Sequence, residues 1–598
     1  MSRRKPSPIE KSENFKENMK KLMIVLKEYR VVLVIIFCTS ALATLLNVAG
    51  PMVMASATNE MVRGFLAKMN GNGPGINFTL IIEILGIMLI LYGMSWGVGI
   101  IESILTAKVA TKVSFQLRKK MIEKIHNLPL SYFNEQKYGD VLSRITNDVD
   151  VINTTLSQTI SQGVSATVTV LGVLVMMLII SIRMTIVAMI IVPVVGIVVT
   201  GIIKKSQTYF TRQQNYLGEL NGIIEEDYTG HNIIKLYNRE ESRLEEFNET
   251  NDRLRKTSRM AEFISGLMMP IMNIISNIGY VLICVLGVSL ATSGNLTIGG
   301  LQAFMQYMRR FTQPIAQLGN ILNELQLTAA ASERIFGLLE EGEQVHYVTG
   351  PDVPVDNIEG SVDFEDVVFG YEDNKIVIDG FSASVNPGEK VAIVGPTGAG
   401  KTTIVKLLMG FYELNSGRIS IDGHNITEFS KEDLRDEFTI VLQDTWLFNG
   451  TIRDNIRYGR LDATDEEVYE AAKTAQVDYF IRTLPEGYDT VINEEADNIS
   501  QGQKQLLTIA RAMLAHSSIL ILDEATSSVD TRTEIRIQNA MDKLMKGKTC
   551  FVIAHRLSTI MDADLILVLK DGNIIEQGSH SQLLSAGGFY SELFYSQF

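Results

Sequence analysis

The chain has 598 residues, 46% of them hydrophobic and 20% charged, and a formal net charge of −14. That length exceeds one ordinary domain, and an acidic balance argues against nucleic acid as a partner. The three cysteines, Cys38, Cys284 and Cys550, suggest neither a disulfide framework nor a zinc site.

The averages conceal a division: long uncharged apolar runs fill the chain from about residue 31 to 325, and an acidic α/β pattern follows from about 355. The first thirty residues are basic and lack the small-residue cleavage pattern of a signal peptide. Phe15, Met19, Leu22, Met23 and Leu26 recur at helical spacing with Lys16, Lys20, Lys21 and Lys27 between them. This predicts an amphipathic helix along the inner membrane surface, with a plain soluble helix as the alternative.

A membrane span needs about 20 predominantly apolar residues. Val31–Asn59, Val151–Ile182 and Met184–Ile203 carry no charge, and Phe263–Met308 is long enough for two spans broken at Gly294–Asn295. A further apolar run, Phe78–Ala107, contains Glu83 and Glu102. Six spans are expected, at about 31–57, 78–106, 160–181, 184–203, 263–291 and 297–325. The expected organisation is a cytoplasmic N-terminus over 1–30, a transmembrane domain over 31–330, a linker over 331–355 and a second domain over 356–598. The connections at about 107–158 and 204–260 hold many Lys and Arg, whereas the opposite side shows only Arg63, Lys68 and Arg183. The positive-inside rule then places both termini and both long connections in the cytoplasm. Those connections read as helical hairpins, with tips near Tyr138–Thr146 and Glu225–Gly230.

Arg309 and Arg310 interrupt the last span, a costly placement that calls for water, a cavity or acidic partners, with Glu83 and Glu102 as candidates. Gln302, Gln306, Gln313, Gln317 and Asn320 add polarity to the same span. Met268, Met269, Met272, Met305 and Met308 offer adaptable apolar surface. A mixed, methionine-lined cavity for amphipathic molecules is one reading, ordinary helix packing the other.

In the second half Lys390–Val394 is a short apolar strand running into Gly395-Pro-Thr397-Gly398-Ala-Gly400-Lys401-Thr402-Thr403 and then an apolar helix. This is G-x-x-x-x-G-K-[ST] in its required strand–loop–helix setting. Its glycines let backbone N–H groups curl round phosphate oxygens, with Lys401 on the β- and γ-phosphates and the Thr402 hydroxyl on Mg²⁺. Ser518–Thr526 reads as a buried strand ending in two acids: Asp523 to hold the Mg²⁺ shell and Glu524 to polarise an attacking water. His555 follows another apolar strand, where it can meet the γ-phosphate.

Ile499-Ser500-Gln501-Gly502-Gln503 resembles the Leu-Ser-Gly-Gly-Gln signature of ABC transporters. Tyr371 resembles the aromatic that stacks on adenine, Gln443 the Q-loop glutamine that touches Mg²⁺, and Ser527-Ser528-Val529-Asp530 the D-loop. Tyr132-Phe133, Gly139-Asp140, Ser143-Arg144 and Asp148 resemble the first cytoplasmic loop of multidrug-type exporters, so the resemblance covers nearly the whole chain. It implies a membrane all-α six-helix domain of the type IV ABC exporter fold followed by an α/β P-loop NTPase domain. ATP and Mg²⁺ would be held by Tyr371, Gly395, Thr397, Gly398, Gly400, Lys401, Thr402, Thr403, Gln443 and Asp523. Ser500, Gly502, Gln503 and Asp530 would close over the ATP of a second half-transporter subunit, and Glu524, His555 and Gln443 would be catalytic.

Two departures from the family pattern stand out. Gln501 replaces a glycine, restricting backbone approach and dihedrals, and Asn493-Glu494-Glu495-Ala496 lacks the usual glycines. Glu524 and His555 are intact. The pattern resembles the catalytically competent subunit of bacterial heterodimeric exporters, so a heterodimer in a bacterial plasma membrane is expected. The implied activity is multidrug-type, ATP-driven export of amphipathic small molecules. Lipid or peptide export and an ATP-gated channel or sensor are the alternatives.

Overall fold

The computed structural model describes residues 14–71, 75–344, 358–372, 375–442, 445–493, 498–523, 529–553 and 560–597. The chain divides into two compact units, one of residues 1–126 and 138–341 and one of residues 127–137 and 342–598.

Unit one is helical. In chain order it contains α1 (Phe15–Leu26), α2 (Arg30–Met69) and α3 (Phe78–Asn127). After α4 (Leu130–Glu135), which belongs to unit two, come α5 (Tyr138–Ser143), α6 (Val149–Thr154) and α7 (Ile160–Ile180). One-turn π-helical segments, Arg144–Asp148 and Thr155–Thr159, join these three into a nearly continuous rod. Then follow α8 (Ile182–Thr229), α9 (His231–Leu236), α10 (Glu240–Gly266), α11 (Met268–Thr292) and α12 (Ile298–Glu340).

Among the described residues four helical stretches are long and apolar enough to cross a membrane: Phe15–Met69, Phe78–Asn127, Tyr138–Ile180 and Glu240–Thr292. The expected fourth and sixth spans lie within α8 and α12. Pro51, Pro193 and Pro314 lie inside α2, α8 and α12, which long membrane helices tolerate because neighbours re-satisfy the freed carbonyls. Side chains set the breaks. Ser181 accepts from the Met184 N–H at the start of α8, and Thr297 accepts from the Gly300 N–H at the start of α12. Such caps satisfy amides that have no partner within the helix.

Several expectations meet a different outcome. α1 forms as read, but its face is taken up by α12: Leu22 and Leu26 are buried, and Asn18 Nδ2 donates to Glu333 at 2.9 Å. Phe15, Met23 and Ile24 stay exposed. The first long connection turns through α4, opened by Pro129, just before the expected Tyr138–Thr146, and in the second α8 ends at Thr229 and Gly230 leads into α9, at the expected Glu225–Gly230. Arg309 and Arg310 do not reach Glu83 or Glu102. Arg309 lies over the Tyr280 ring, and Arg310 donates to the Asn47 carbonyl at 2.9 Å. Met308 is buried with Phe304, Tyr307 and Phe311 in the helical core, and Met305 packs against it, so both fill space instead of lining a cavity.

Unit two is α/β. Its strands are β1 (Val362–Glu372), β2 (Lys375–Val385), β3 (Lys390–Val394), β4 (Ser416–Ile421), β5 (His424–Asn425), β6 (Phe438–Val441), β7 (Gly450–Thr451), β8 (Val491–Ile492), β9 (Ile519–Asp523), β10 (Thr549–Ile553), β11 (Leu565–Lys570) and β12 (Asn573–Gly578). The main sheet runs β12-β11-β3-β10-β9-β6, parallel except for β12. An antiparallel sheet, β2-β1-β4-β5, accompanies it, and helices α13 (Lys401–Leu408), α14 (Lys431–Asp436), α15 (Ile452–Arg457), α16 (Asp465–Thr474), α17 (Asp478–Thr483), α18 (Gln501–Leu514) and α19 (Thr531–Met545) lie between the strands. Strand alternation builds two cores from one strand: Val391 and Ile393 join Phe364, Phe381 and Phe551 on one side, while Ala392 and Val394 join Leu506, Leu520 and Leu522 on the other. A strand buried on both faces reads as an unbroken apolar run.

Candidate functional site

The parallel strands bring their C-terminal ends to one edge. Ile393 of β3 pairs with Ile553 of β10, and Ile553 pairs with Asp523 of β9. Ligands of open α/β sheets bind outside such ends, and here the loop 395–400 leaves β3 and enters α13 (Lys401–Leu408). The loop needs glycine at both ends. Gly395 has φ 154°, and a Cβ there would stand 2.3 Å from the Leu569 carbonyl oxygen. Gly400 has φ 98°, and a Cβ would stand 2.5 Å from Ile378 Cδ1. Thr397 and Gly398 form the exposed apex.

Lys401 folds back into this loop, its Nζ donating to the Gly395 carbonyl at 2.8 Å and the Pro396 carbonyl at 3.0 Å. Burial lowers its pKa, and the Asp523 carboxylate opposes that shift. The lysine is thus held against two carbonyls of the loop, within electrostatic reach of the acid at the end of β9. Thr402 stands exposed at the first turn of α13, while Thr403 is buried and shares a 3.1 Å hydrogen bond with the Tyr371 hydroxyl. Tyr371 keeps its ring accessible, 46% exposed.

The second cluster sits at the start of α18 (Gln501–Leu514). Ser500 and Gln503 form a capping box: the Gln503 N–H donates to Ser500 Oγ at 3.4 Å, and the Ser500 N–H donates to Gln503 Oε1 at 2.9 Å. Such boxes satisfy two orphan amides at a helix N-terminus, and the remaining ones suit an anion. Gly502 is buried for a reason internal to the chain. A Cβ there would stand 2.6 Å from Thr533 Cγ2 and 2.9 Å from Val529 Cγ1. Asp530 caps α19 (Thr531–Met545), accepting from the Arg532 and Thr533 N–H groups. Hydrogen bonding to Thr533 holds its carboxyl below the usual value.

Gln501 occupies the first helical position without a positive φ, so the backbone freedom of glycine is not used there. Its Nε2 donates to Thr445 Oγ1 at 3.2 Å. Gln443, Glu524 and His555 lie outside the described residues, as do Glu494–Ala496 and Ser527–Ser528.

Three residues escaped the sequence reading. Tyr412 meets Tyr371 edge-on, ring centroids 5.2 Å apart, and its hydroxyl accepts from Asn134 Nδ2 of α4 at 2.6 Å. Arg511 of α18 is half-buried. It donates to the Asn455 and Trp446 carbonyls and lies over the Phe448 and Tyr458 rings, tying α18 to the segment after β6.

The thiols and acids offer little else: among the described residues no cluster of three or more His, Cys, Asp or Glu could hold a metal. The Thr402 hydroxyl and Asp523 carboxylate are hard oxygen donors, which fits Mg²⁺ bound chiefly through nucleotide phosphates.

Comparison with known proteins agrees with this geometry. The family model for the ABC transporter transmembrane region matches residues 33–315, and that for the ABC transporter domain matches residues 378–527. The chain is 45% identical over 525 residues to the "Fatty acid ABC transporter ATP-binding/permease protein" of Mycobacterium bovis, covering 87% of this chain and 82% of the relative. It is 39% identical over 595 residues to the uncharacterized ABC transporter ATP-binding protein YfiC of Bacillus subtilis, covering 98% and 95%. It is 35% identical over 513 residues to the "ATP-dependent lipid A-core flippase" of Syntrophus aciditrophicus, covering 86% and 85%. With an apolar helical unit and a phosphate-loop unit in one polypeptide, the chain belongs to the ABC transporter family, as a bacterial exporter half-transporter that couples ATP hydrolysis to transport.

Proposed function

We propose that the cargo is an amphipathic molecule with a long apolar chain, of the lipid or fatty-acid kind, moved by a dimer of half-transporters across the plasma membrane with both termini cytoplasmic. The observation that carries the cargo class is the 45% identity to a relative named for fatty acids, over 87% of this chain. A relative named as a lipid A-core flippase supports it. The multidrug-type reading drew in part on a methionine-lined cavity, and two of its five methionines, Met305 and Met308, are engaged in packing.

In this reading Tyr371 stacks on adenine and the amides of 395–400 receive the phosphates. Lys401 exchanges its carbonyl partners for phosphate oxygens, a swap of neutral for charge-assisted hydrogen bonds. Thr402, Asp523 and Gln443 would hold Mg²⁺, which would supply neutralisation of phosphate charge. Glu524 polarises the water and His555 orients it. Ser500 and the N-terminus of α18 close over the partner's nucleotide, so two chains complete two sites. ATP binding favours the closed pair by differential affinity, and hydrolysis releases it.

Gln501 adds a side chain where the family signature has glycine, and this supports a partner that is a different chain. Reconstituting the chain alone and with candidate partners, then measuring ATPase activity across fatty acids, lysolipids and cationic drugs, tests both points. Stimulation by long-chain amphiphiles that needs a second chain is expected. A fully stimulated homodimer removes the heterodimer, and stimulation by drugs alone removes the lipid-like cargo.

A further inference from the structure

Gln501 departs from the family signature, and its side chain is engaged within its own chain, Nε2 donating to Thr445 Oγ1 at 3.2 Å. Nearly three turns along α18, Arg511 reaches the neighbouring residue, its Nη1 donating to the Trp446 carbonyl at 3.1 Å. Two side chains from opposite ends of one helix thus hold two consecutive residues of another segment, which begins two positions after Gln443. Arg511 also holds the rest of that segment. Its Nε donates to the Asn455 carbonyl at 2.8 Å, and its Nη2 donates to Asn455 Oδ1 at 3.1 Å. Asn455, 2% exposed, accepts from the Phe448 N–H at 2.8 Å and donates to the Phe448 carbonyl at 2.9 Å. The guanidinium lies over the Phe448 and Tyr458 rings, whose centroids are 4.5 Å apart. The main chains meet as well: a Cβ on Gly459 would stand 2.1 Å from the Arg511 carbonyl oxygen.

Among the described residues the partners of this arginine are carbonyl and amide oxygens and ring faces, not a carboxylate. Desolvation without a paired acid holds its guanidinium below the ordinary arginine value. An apolar side chain would fill the same space without that cost. What the planar fork adds is geometry, because it fixes where Trp446 and Asn455 lie against α18. That geometry bears on the reaction. In the proposed function Gln443 serves the nucleotide of its own chain, and Ser500, which caps α18, serves the nucleotide of the partner. Gln501 and Arg511 join the segment after the first to the helix after the second. Contiguous hydrogen bonds and packing of this kind carry energetic coupling between sites.

We propose that Gln501 and Arg511 are positioning residues of ATP hydrolysis: they clip the segment after Gln443 to α18, so that the loop serving one nucleotide and the helix N-terminus closing over the other move as one body. The inference rests on the reading that α18 closes over the partner's nucleotide. It deepens that reading by giving the residue that departs from the family pattern a task within its own chain.

The test is steady-state ATP hydrolysis by the full-length protein in proteoliposomes, with its partner chain where one co-purifies, alongside the Kd for Mg-ATP. Thr445→Val removes the hydroxyl at nearly equal volume, and Gln501→Ala removes the other end of the hydrogen bond. Each should lower kcat about fivefold, the scale of one neutral hydrogen bond. The Kd and the nucleotide-free thermal midpoint should stay at the parent values, a split that a merely structural role would not give. The double variant should lose no more than either single one, as for partners in one interaction. Thr445→Ser keeps the hydroxyl and should turn over at the parent rate. Arg511→Lys keeps the charge without the fork and should lower kcat about tenfold at unchanged Kd, the scale of one hydrogen bond from a charged group. Parent-rate turnover in Thr445→Val, additive losses in the double variant, or a Thr445→Ser rate as low as that of Thr445→Val overturns the proposal. Ser500→Ala separates this inference from the reading beneath it. Parent-rate turnover in that variant sinks closure over the partner's nucleotide and this inference with it. A loss there, with parent rates in Thr445→Val and Arg511→Lys, sinks this inference alone.

Discussion

Asn134 and Tyr412 are hydrogen-bonded side chain to side chain at 2.6 Å, although 278 positions separate them in the chain. Tyr412 in turn packs on Tyr371, and the Tyr371 hydroxyl bonds Thr403 of the phosphate-binding helix. A continuous polar and aromatic path thus runs from α4, in the first long connection between spans, to Tyr371, the tyrosine proposed to stack on adenine. If the path carries cargo occupancy to the nucleotide site, Tyr412→Phe should keep basal ATP hydrolysis and weaken its stimulation by cargo. The hydrogen bond is worth about 1 kcal/mol net, or roughly fivefold in an equilibrium. Cargo-titrated ATPase assays of Tyr412→Phe and Asn134→Ala check this. Equal losses in both variants support the path, and undiminished stimulation in both dismisses it.

Gly502 belongs to a signature expected to meet the partner's nucleotide, but its immediate reason is packing against Val529 and Thr533. Gly502→Ala should therefore destabilise the protein on its own, without nucleotide, by about 1–3 kcal/mol, the usual cost of overpacking. Thr533→Ser removes the closer of the two methyl contacts and keeps the hydroxyl, so the double variant should recover part of the loss. Thermal unfolding of nucleotide-free protein reads both effects. An unchanged midpoint in Gly502→Ala would mean that the glycine serves nucleotide approach alone.

Asp422 ties β4 to the start of β1. It accepts from the N–H groups of Glu359, Gly360 and Ser361 at 2.7, 3.2 and 2.7 Å, and from the Ser361 hydroxyl at 2.9 Å. Burial alone would raise its carboxyl, but these donors outweigh it and hold the group below the ordinary aspartate value. A depressed folded value means stability that is fully present above the unfolded value of about 3.9 and fades as pH falls through the folded one. Asp422→Ala should cost about 1–3 kcal/mol at neutral pH, and the gap to the parent should narrow below about pH 4. Unfolding midpoints measured from pH 7 down to the acid limit of the folded protein test the trend. A gap independent of pH would contradict it.

The phosphate loop was legible because its chemistry is local: a buried strand, glycines at fixed offsets and a lysine all fall within fourteen consecutive residues, 390–403. Asp523 was legible for the same reason, as an acid closing an apolar run. The path through Tyr412 was not, because nothing near Tyr412 in sequence announces Asn134 or Tyr371. Gly502 shows a subtler gap. Its motif suggested a ligand contact, whereas its neighbours Val529 and Thr533 come from the next helix and the segment before it. In the helical unit, hydropathy located long apolar helices but could not pair their charges. Arg310 found the carbonyl of Asn47, freed by Pro51 four residues later in α2, instead of a distant carboxylate. Met305 and Met308 misled because flexible apolar side chains suit a core as well as a cavity.

The central claim is that hydrolysis at the loop after β3 drives cargo across the membrane. Proteoliposomes loaded with Mg-ATP and a labelled long-chain amphiphile measure both quantities at once, in the parent and in Glu524→Gln. The account predicts that the variant still binds ATP while turnover and cargo movement fall together by about 10²–10⁴-fold, the contribution of a positioned base. Parent-rate hydrolysis in the variant, or cargo movement that persists without turnover, would contradict it.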